Sequence, residues 1–376
     1  EQALLVELVE KFKATYSDET FYIMIGVESE STAKDTILTD VEAAADVFAF
    51  ANDQIDDLIA AGALLPISGD MDAVLQNYAG KSIADVQSAN SAATVATATR
   101  NDTLYAFPMG GGNNYYDSTR VSAEQAQSWD TLLEAANAAG SKVGMTLNSG
   151  WYNASFFLGA GFTTALNADG STSVDWNGTS SQGITGVQVV QSMLNIAAHP
   201  GFLAIADGDI SNQIASGSVC AVISGTWDAD PAQTAFGDGY AATKLPTFTC
   251  NGQQVQQGCF SGSKLMGVNA YAENAGWAVL LAEFLTNEES QVARFNARQL
   301  APANVSAAAD PAVEANIAIA ASAMQDAYGV VQSVGGKYWD PAKSFGEQIA
   351  QGTIASDDAS IQKALDDLVA GITAPN

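Results

Sequence analysis

Three of the six tryptophans, Trp151, Trp227 and Trp339, fall at predicted strand ends or in loops, off the apolar stripe of any helix. An indole in such a place is either a lid over a local core or a flat apolar platform for a ligand. The other three read differently. Trp277 shares a helical stripe with Leu280, Leu281 and Phe284 and belongs to a core, Trp129 stands at a helix start and packs, and Trp176, beside Asn177-Gly178, reads as a surface residue. Asp53 follows a short apolar strand and precedes a helix over 54–61. There its carboxylate either caps the helix or faces outward, where an ionised acceptor takes hydroxyl hydrogen bonds more strongly than a neutral one. Rings that cover apolar faces, joined by polar groups that take hydroxyls, suit recognition of a small hydroxylated ligand.

No matching set for catalysis accompanies them. A glycoside hydrolase, the rival reading, needs two carboxyl groups flanking the scissile bond. The segments with the candidate rings offer Asp53 and Asp340 among aromatics and amides, with no acids paired close in sequence. No Gly-x-Ser-x-Gly falls at a strand-to-helix turn, and the single histidine, His199, precedes a proline. P-loop and dinucleotide fingerprints are missing, and Gly110-Gly111-Gly112 is not followed by a helix start that could cradle a phosphate. Asn167, Asp169 and Gly170 lack the closing glutamate of a calcium loop and read as a turn. One histidine is too few for an ordinary four-ligand zinc site, and no cofactor is expected. Cys250 and Cys259 bracket the turn signal Asn251-Gly252. A disulfide, two free thiols and a metal pair are the alternatives, and the disulfide would suit an export environment. Cys220, in the apolar run 219–223, reads as a buried thiol.

The formal net charge is −28 with only 14 Lys plus Arg. That speaks against nucleic acid, whose phosphates need basic partners, and against an anionic membrane surface. No run approaches the roughly 18–20 apolar residues that span a bilayer. With 376 residues the chain exceeds one ordinary core and suits two lobes. Glu1 leads straight into Leu4, Leu5, Leu8, Val9 and Phe12, the spacing of an amphipathic helix. The chain is therefore read as trimmed, with a signal peptide, a lipid anchor or a first strand as the alternatives for what was removed.

The elements that must position these residues alternate between strand and helix. Strands are expected over 21–25, 46–51, 104–109, 143–147, 219–223 and 264–270, the apolar ones covered on both faces. Helices are expected from Ile55, from Ser128, over 184–196 and over 277–285, with Thr286 and Glu289 as a capping box for the next. The order implies an α/β class with mostly parallel sheets. Candidate crossings at 110–114, at 249–263 and near Pro302 would make a hinge. The lobes are then 1–109 with 260–303, and 110–259 with 304–376.

The segment Asp46-Val47-Phe48-Ala49-Phe50-Ala51-Asn52-Asp53-Gln54, followed by a helix ending Ala60-Ala61-Gly62-Ala63-Leu64-Leu65-Pro66-Ile67, resembles the maltose and maltodextrin-binding proteins of ABC importers. In that family an Asp-Val-aromatic strand delivers a binding loop, and the next helix ends at Gly-Leu-Leu-x-x-Ile. Tyr105-Ala106-Phe107-Pro108, the run from Gly217 to Trp227, and Gly267-Val268-Asn269-Ala270 agree in order, so the resemblance spans almost the whole chain. It implies a two-lobed periplasmic-binding-protein type II fold, each lobe a mostly parallel sheet flanked by helices. It further implies a monomeric extracellular protein, a surface lipoprotein or periplasmic, that is no enzyme. Such a protein captures an oligosaccharide, a malto-oligosaccharide first, and delivers it to ABC permease subunits in the membrane by lobe closure.

The resemblance also implies site residues. Asp53 matches a carboxylate that bonds sugar hydroxyls, and Phe50 falls where the family has a bordering tryptophan. Trp151, with Tyr152 beside it, falls on an aromatic lining the second lobe, and Trp227 and Trp339 match aromatic platforms there. Asn52, Asn114 and Tyr116 complete the candidate set. Gln54 stands where the family has an arginine, a second family carboxylate maps to Ser149, and the loop after Pro108 is shortened, its acidic position falling at or near Gly112. The usual opening strand is absent, and these departures leave the choice of sugar open.

Overall fold

Two units, each with its own core, divide the chain: Glu1–Gly110 with Gly262–Ala315, and Gly111–Ser261 with Asn316–Asn376. The structure, a computed structural model, describes residues 2–30, 32–109, 112–167 and 169–374. Gly110 and Gly111, at the first expected crossing, and Ala168 lie outside the described residues.

The first unit is built on a three-stranded sheet in the order Val47–Ala51, Lys264–Val268, Ala106–Met109. The central strand returns after most of the second unit and runs antiparallel to both neighbours, Phe48 opposite Gly267 and Met266 opposite Phe107. The expected mostly parallel sheet is thus corrected here. Parallel pairing needs a crossover that lays successive strands in one direction, and the strand inserted between these two comes from elsewhere in the chain. The strand expected over 21–25 does not form. Phe21 and Ile23 do pack against the unit's core while Tyr22 and Met24 stand 95% and 98% exposed, so the alternation is real. A strand also needs a ladder partner, and none lies alongside among the described residues.

Helix Gln2–Thr15 buries Leu8, Val9 and Phe12, and Phe12 meets Phe284 of helix Ala275–Thr286 edge-on at 5.6 Å. Trp277 of the same helix packs edge-on to Tyr16 and Phe21, as its stripe predicts. Asn287, not Thr286, caps helix Glu288–Arg298, accepting from the Ser290 amide at 3.0 Å. Thr286 is the last residue of the preceding helix, and its hydroxyl bonds back to the Ala282 carbonyl at 2.8 Å. Residues 304–315, expected in the other lobe, belong to this unit. The Ser91 amide donates to the Ala303 carbonyl, and buried Gln291 accepts from the amides of Ala303 and Asn304 at 2.7 and 2.8 Å.

The second unit carries a five-stranded sheet in the order Tyr240–Thr243, Gly112–Asp117, Ala221–Gly225, Val143–Met145, Phe202–Ala204. The last three are parallel, and Gly112–Asp117 is antiparallel to both its neighbours. The sheet is mixed rather than mostly parallel, since only the strands separated by helices such as Gly150–Gly159 and Gly186–Ala198 share a direction. Every residue of Ala221–Gly225 is buried, with Ile223, Met145, Phe156 and Trp129 in one core and Val222, Ile205 and Ile214 in another. Trp129 packs as expected, its indole N–H donating to Gln257 Oε1 at 2.8 Å. Trp176 corrects its surface reading: it is fully buried and stacked on Phe157 at 4.4 Å. The turn beside it is real, the Gly178 amide donating to the Asp175 carbonyl, but the ring points inward.

The two flanking cysteines are not joined, and all three thiols are free. Strands Thr247–Cys250 and Gln253–Gln256 form a hairpin about Asn251 and Gly252, whose φ angles are 50° and 73°. That register sets Cys250 opposite Gln253 and leaves Cys259 on the next strand, Cys259–Ser261, beside Gly329–Val331.

Candidate functional site

Register places the site at one end of the second unit's sheet. Met145 and Asn114 both lie opposite Ile223, and Gly112 lies opposite Gly225. Residues 146–150, 224–228 and 112–114 therefore gather where the parallel strands end, the edge at which ligands bind in open α/β sheets.

Gly225 ends its strand, a short turn Thr226–Asp228 follows, and helix Ala229–Phe236 begins. The turn holds Trp227 at 46% exposure, while Trp129 and Trp176 are buried and Trp151, Trp277 and Trp339 are half-buried. Trp227 is thus the indole most open to a ligand. Its ring folds back over Gly225, where a Cβ would collide with it. The next ring is Trp151, in the first turn of helix Gly150–Gly159, 6.4 Å from Trp227 and tilted by 59°. Trp151 meets Phe260 at 6.0 Å, Phe260 meets Tyr338 edge-on at 5.9 Å, and Tyr338 meets Trp339 edge-on at 5.0 Å. The structure corrects the strand-end or loop placement of Trp151 and of Trp339, which opens helix Trp339–Gln351, but joins all three selected tryptophans in one unbroken run of rings.

Tyr338 is the strut of that run. Fully buried, it donates its hydroxyl to the Gly150 carbonyl at 2.8 Å, and burial pushes its pKa well up. A Cβ on Gly150 would stand 2.8 Å from the Tyr338 ring and 2.9 Å from Ala342, so only glycine admits the ring there. The Tyr152 hydroxyl lies among Ser224, Trp227 and the charges of Asp228 and Asp207. Burial raises its pKa, against the hydrogen bonds of Ser224 and Trp227. The sequence hardly signals Tyr338, Phe260 and Gly150, because what marks them is contact across distant segments.

The remaining candidates divide. Asn114 is fully buried, and neither end of its amide has a hydrogen-bond partner among the described residues. Thr146 Oγ1 and Asn148 Oδ1, beyond the neighbouring strand, are in the same condition. Tyr116, two residues along from Asn114, is packed into the core at 5% exposure and is corrected from a ligand residue to a core residue. In the first unit Phe50 is corrected likewise. Strand alternation puts it on the same face as Phe48, 5.7 Å away, and it is fully buried. Asn52 serves as a structural tie, its backbone N–H donating to the Ser263 carbonyl while its side-chain Oδ1 accepts from the Ser263 backbone N–H at 2.7 Å. Asp53 follows in the turn Asn52–Gln54, half-buried. Helix Ile55–Ala60 starts with no side-chain cap, so the capping role considered for Asp53 is not taken up. Burial raises the Asp53 pKa, opposed by its own backbone hydrogen bond and by the charges of Lys264 and Lys34. Gln54 is buried and ties to Lys34 and Glu30, its Oε1 accepting from the Lys34 amide and its amide nitrogen donating to the Glu30 carbonyl. Among the described residues no group of three or more His, Cys, Asp or Glu side chains could hold a metal ion, and no helix is long and apolar enough to cross a membrane.

Comparison with known proteins adds three findings. A family described as bacterial extracellular solute-binding protein matches residues 7–321. The galactooligosaccharide-binding protein of Bacillus subtilis (strain 168) is 26% identical over 298 residues, 75% of this chain and 68% of that protein. Among solved structures, one described as being with acarbose is 30% identical, with a TM-score of 0.85 over 99% of this chain and 94% of its own. The maltodextrin-binding protein MalE1 of L. casei BL23, without ligand, gives a TM-score of 0.82 at 22% identity over 99% and 96%. The latter likeness is one of fold, an α/β fold.

Proposed function

This chain belongs to the bacterial extracellular solute-binding protein family, a family of binding proteins rather than enzymes, and on that premise we propose that it captures an oligosaccharide outside the cell for an ABC importer. The observation that carries the reading is the run of rings from Trp227 through Trp151 to Trp339, with the Trp227 face open. A sugar presents apolar C–H faces and hydroxyl edges. Indoles cover the faces, and the carboxylate of Asp53 and the free amide of Asn114 are suited to the edges. A micromolar affinity needs about −8 kcal/mol net, within reach of two or three stacked rings and several charge-assisted hydrogen bonds.

A malto-oligosaccharide is the first choice of ligand, supported by the family resemblance of the binding segments and by the 30% identical structure with acarbose. A galacto-oligosaccharide is the second, favoured by the Bacillus subtilis relative. In the proposed cycle the protein acts as a monomer with two lobes and a hinge. Sugar favours the closed state because that state alone offers it every contact, and the closed form delivers the sugar to the permease. Calorimetry against maltose, maltotriose, maltotetraose and galacto-oligosaccharides tests this. One class should bind at one-to-one stoichiometry and be recovered uncut; release of shorter sugars, or no heat with any of them, would refute it.

A further inference from the structure

We propose that Asp228 is a positioning residue for the Trp227 platform, fixing the turn that presents the indole face to sugar. The proposal rests on the oligosaccharide reading of the site. Asp228 occupies the N-cap position of helix Ala229–Phe236, where an aspartate ordinarily accepts from the first amides of the helix. Its side chain makes no such bond. Its Oδ1 instead accepts from Ser211 Oγ at 2.5 Å, and its Oδ2 accepts from Ser224 Oγ. Ser211 belongs to helix Ile210–Ala215 and Ser224 to strand Ala221–Gly225. One carboxylate thus ties the residue after Trp227 both to a neighbouring helix and to the strand that leads into the turn. Asp228 is only 4% exposed. Burying a carboxylate on hydroxyl partners costs free energy that a plain turn does not require.

The tie reaches the indole from its other side as well. Trp227 lies over Gly225, the residue next to Ser224. The Tyr152 hydroxyl lies beside both Trp227 and Ser224. Ser224 gives its hydrogen to the Asp228 carboxylate. Removing Asp228 frees the turn from both Ser211 and Ser224.

A double-mutant cycle on the whole chain tests the proposal. Calorimetry with maltotriose and with β-1,4-galactotriose is run on wild type, Asp228→Ala, Trp227→Ala and the double variant, with thermal melts to check folding. The sugar that wild type binds more tightly is carried through. Asp228→Ala should weaken binding by about fivefold to tenfold, the worth of one or two hydrogen bonds. The double variant should bind no more weakly than Trp227→Ala, since the group on which Asp228 acts is gone. Asp228→Asn, which keeps an acceptor oxygen, should recover part of the loss. Wild-type affinity in Asp228→Ala, or additive losses in the double variant, would overturn the proposal while a weakened Trp227→Ala kept the site reading intact. Full affinity in Trp227→Ala, or no binding of either sugar by wild type, would overturn the site reading and the proposal with it. If Asp228→Ala does not fold, Ser211→Ala and Ser224→Ala, each removing one tie, enter the same cycle: a weakening that vanishes without Trp227 supports the proposal, and wild-type affinity or an additive loss overturns it.

Discussion

Replacing Trp227 with alanine removes the most exposed of the chain's indoles, at 46% exposure, and the size of the effect can be worked from that figure. A tryptophan offers up to about 250 Å² of surface, so about 115 Å² of this one faces solvent. A pyranose lying on the outer face covers about half of that. At about 25 cal/mol per Å² of apolar surface removed from water, the contact contributes about 1.4 kcal/mol, or tenfold in affinity. The sugar's own C–H face adds to this, so tenfold is the lower bound. The fold should hardly register the change, because the ring rests on Gly225 at the surface and is no part of the buried core. Calorimetry at fixed temperature, with a urea melt of the same sample, reads both quantities. A dissociation constant unchanged within threefold, with an unchanged melt, would refute the platform argument.

Gly225→Ala should act on the same ring without touching it chemically. The new Cβ collides with the indole, which swings outward, so sugar affinity should fall severalfold while stability drops by about 1–3 kcal/mol. Asp53→Asn should separate binding from stability. Burial raises the Asp53 pKa above its ordinary 3.8, so between that value and the raised one the folded chain holds more protons than the unfolded chain. Stability therefore falls as pH rises through that window, and the deficit persists above it. The asparagine variant should melt higher than wild type at pH 7, with the gap closing below pH 3.8, and should bind sugar more weakly at pH 7; a lower melt at pH 7 would contradict the sign. Tyr338→Phe removes the donor to the Gly150 carbonyl and should cost about 1–2 kcal/mol in urea unfolding.

What is legible in the sequence is local. The helix start at Ser128, whose side chain caps it by accepting from the Thr131 amide, the hairpin turn at Asn251-Gly252 and the strand expected over 219–223, which forms two residues later as Ala221–Gly225, follow from short-range chemistry. Of the three selected tryptophans only Trp227 stands in a turn after a strand; Trp151 and Trp339 lie in the first turns of helices and pack partly against the core, though the three do share one run of rings. The same reasoning fails for Trp176, because a turn signal beside a ring says nothing of which way the ring points. The family resemblance draws Phe50 toward the ligand, whereas strand alternation turns it into the core, and Tyr116 lies on a strand whose two faces are both covered, with Tyr115 in one core and Tyr116 in another. Sheet direction escapes the sequence where a strand pairs with a segment far away, as Lys264–Val268 does with Val47–Ala51. Pairing of that kind leaves no short-range mark. Nor do the ties that set the site's geometry, Tyr338 to Gly150 and Asp228 to Ser211.

The most direct test of the site is a crystal structure of the chain with the tightest-binding oligosaccharide of the panel. A sugar ring should lie flat against the Trp227 indole at van der Waals distance, about 3.5–4.0 Å, with a neighbouring ring of the sugar over Trp339 or Trp151. An ordered sugar bound elsewhere, with the Trp227 face left bare, would contradict the platform role.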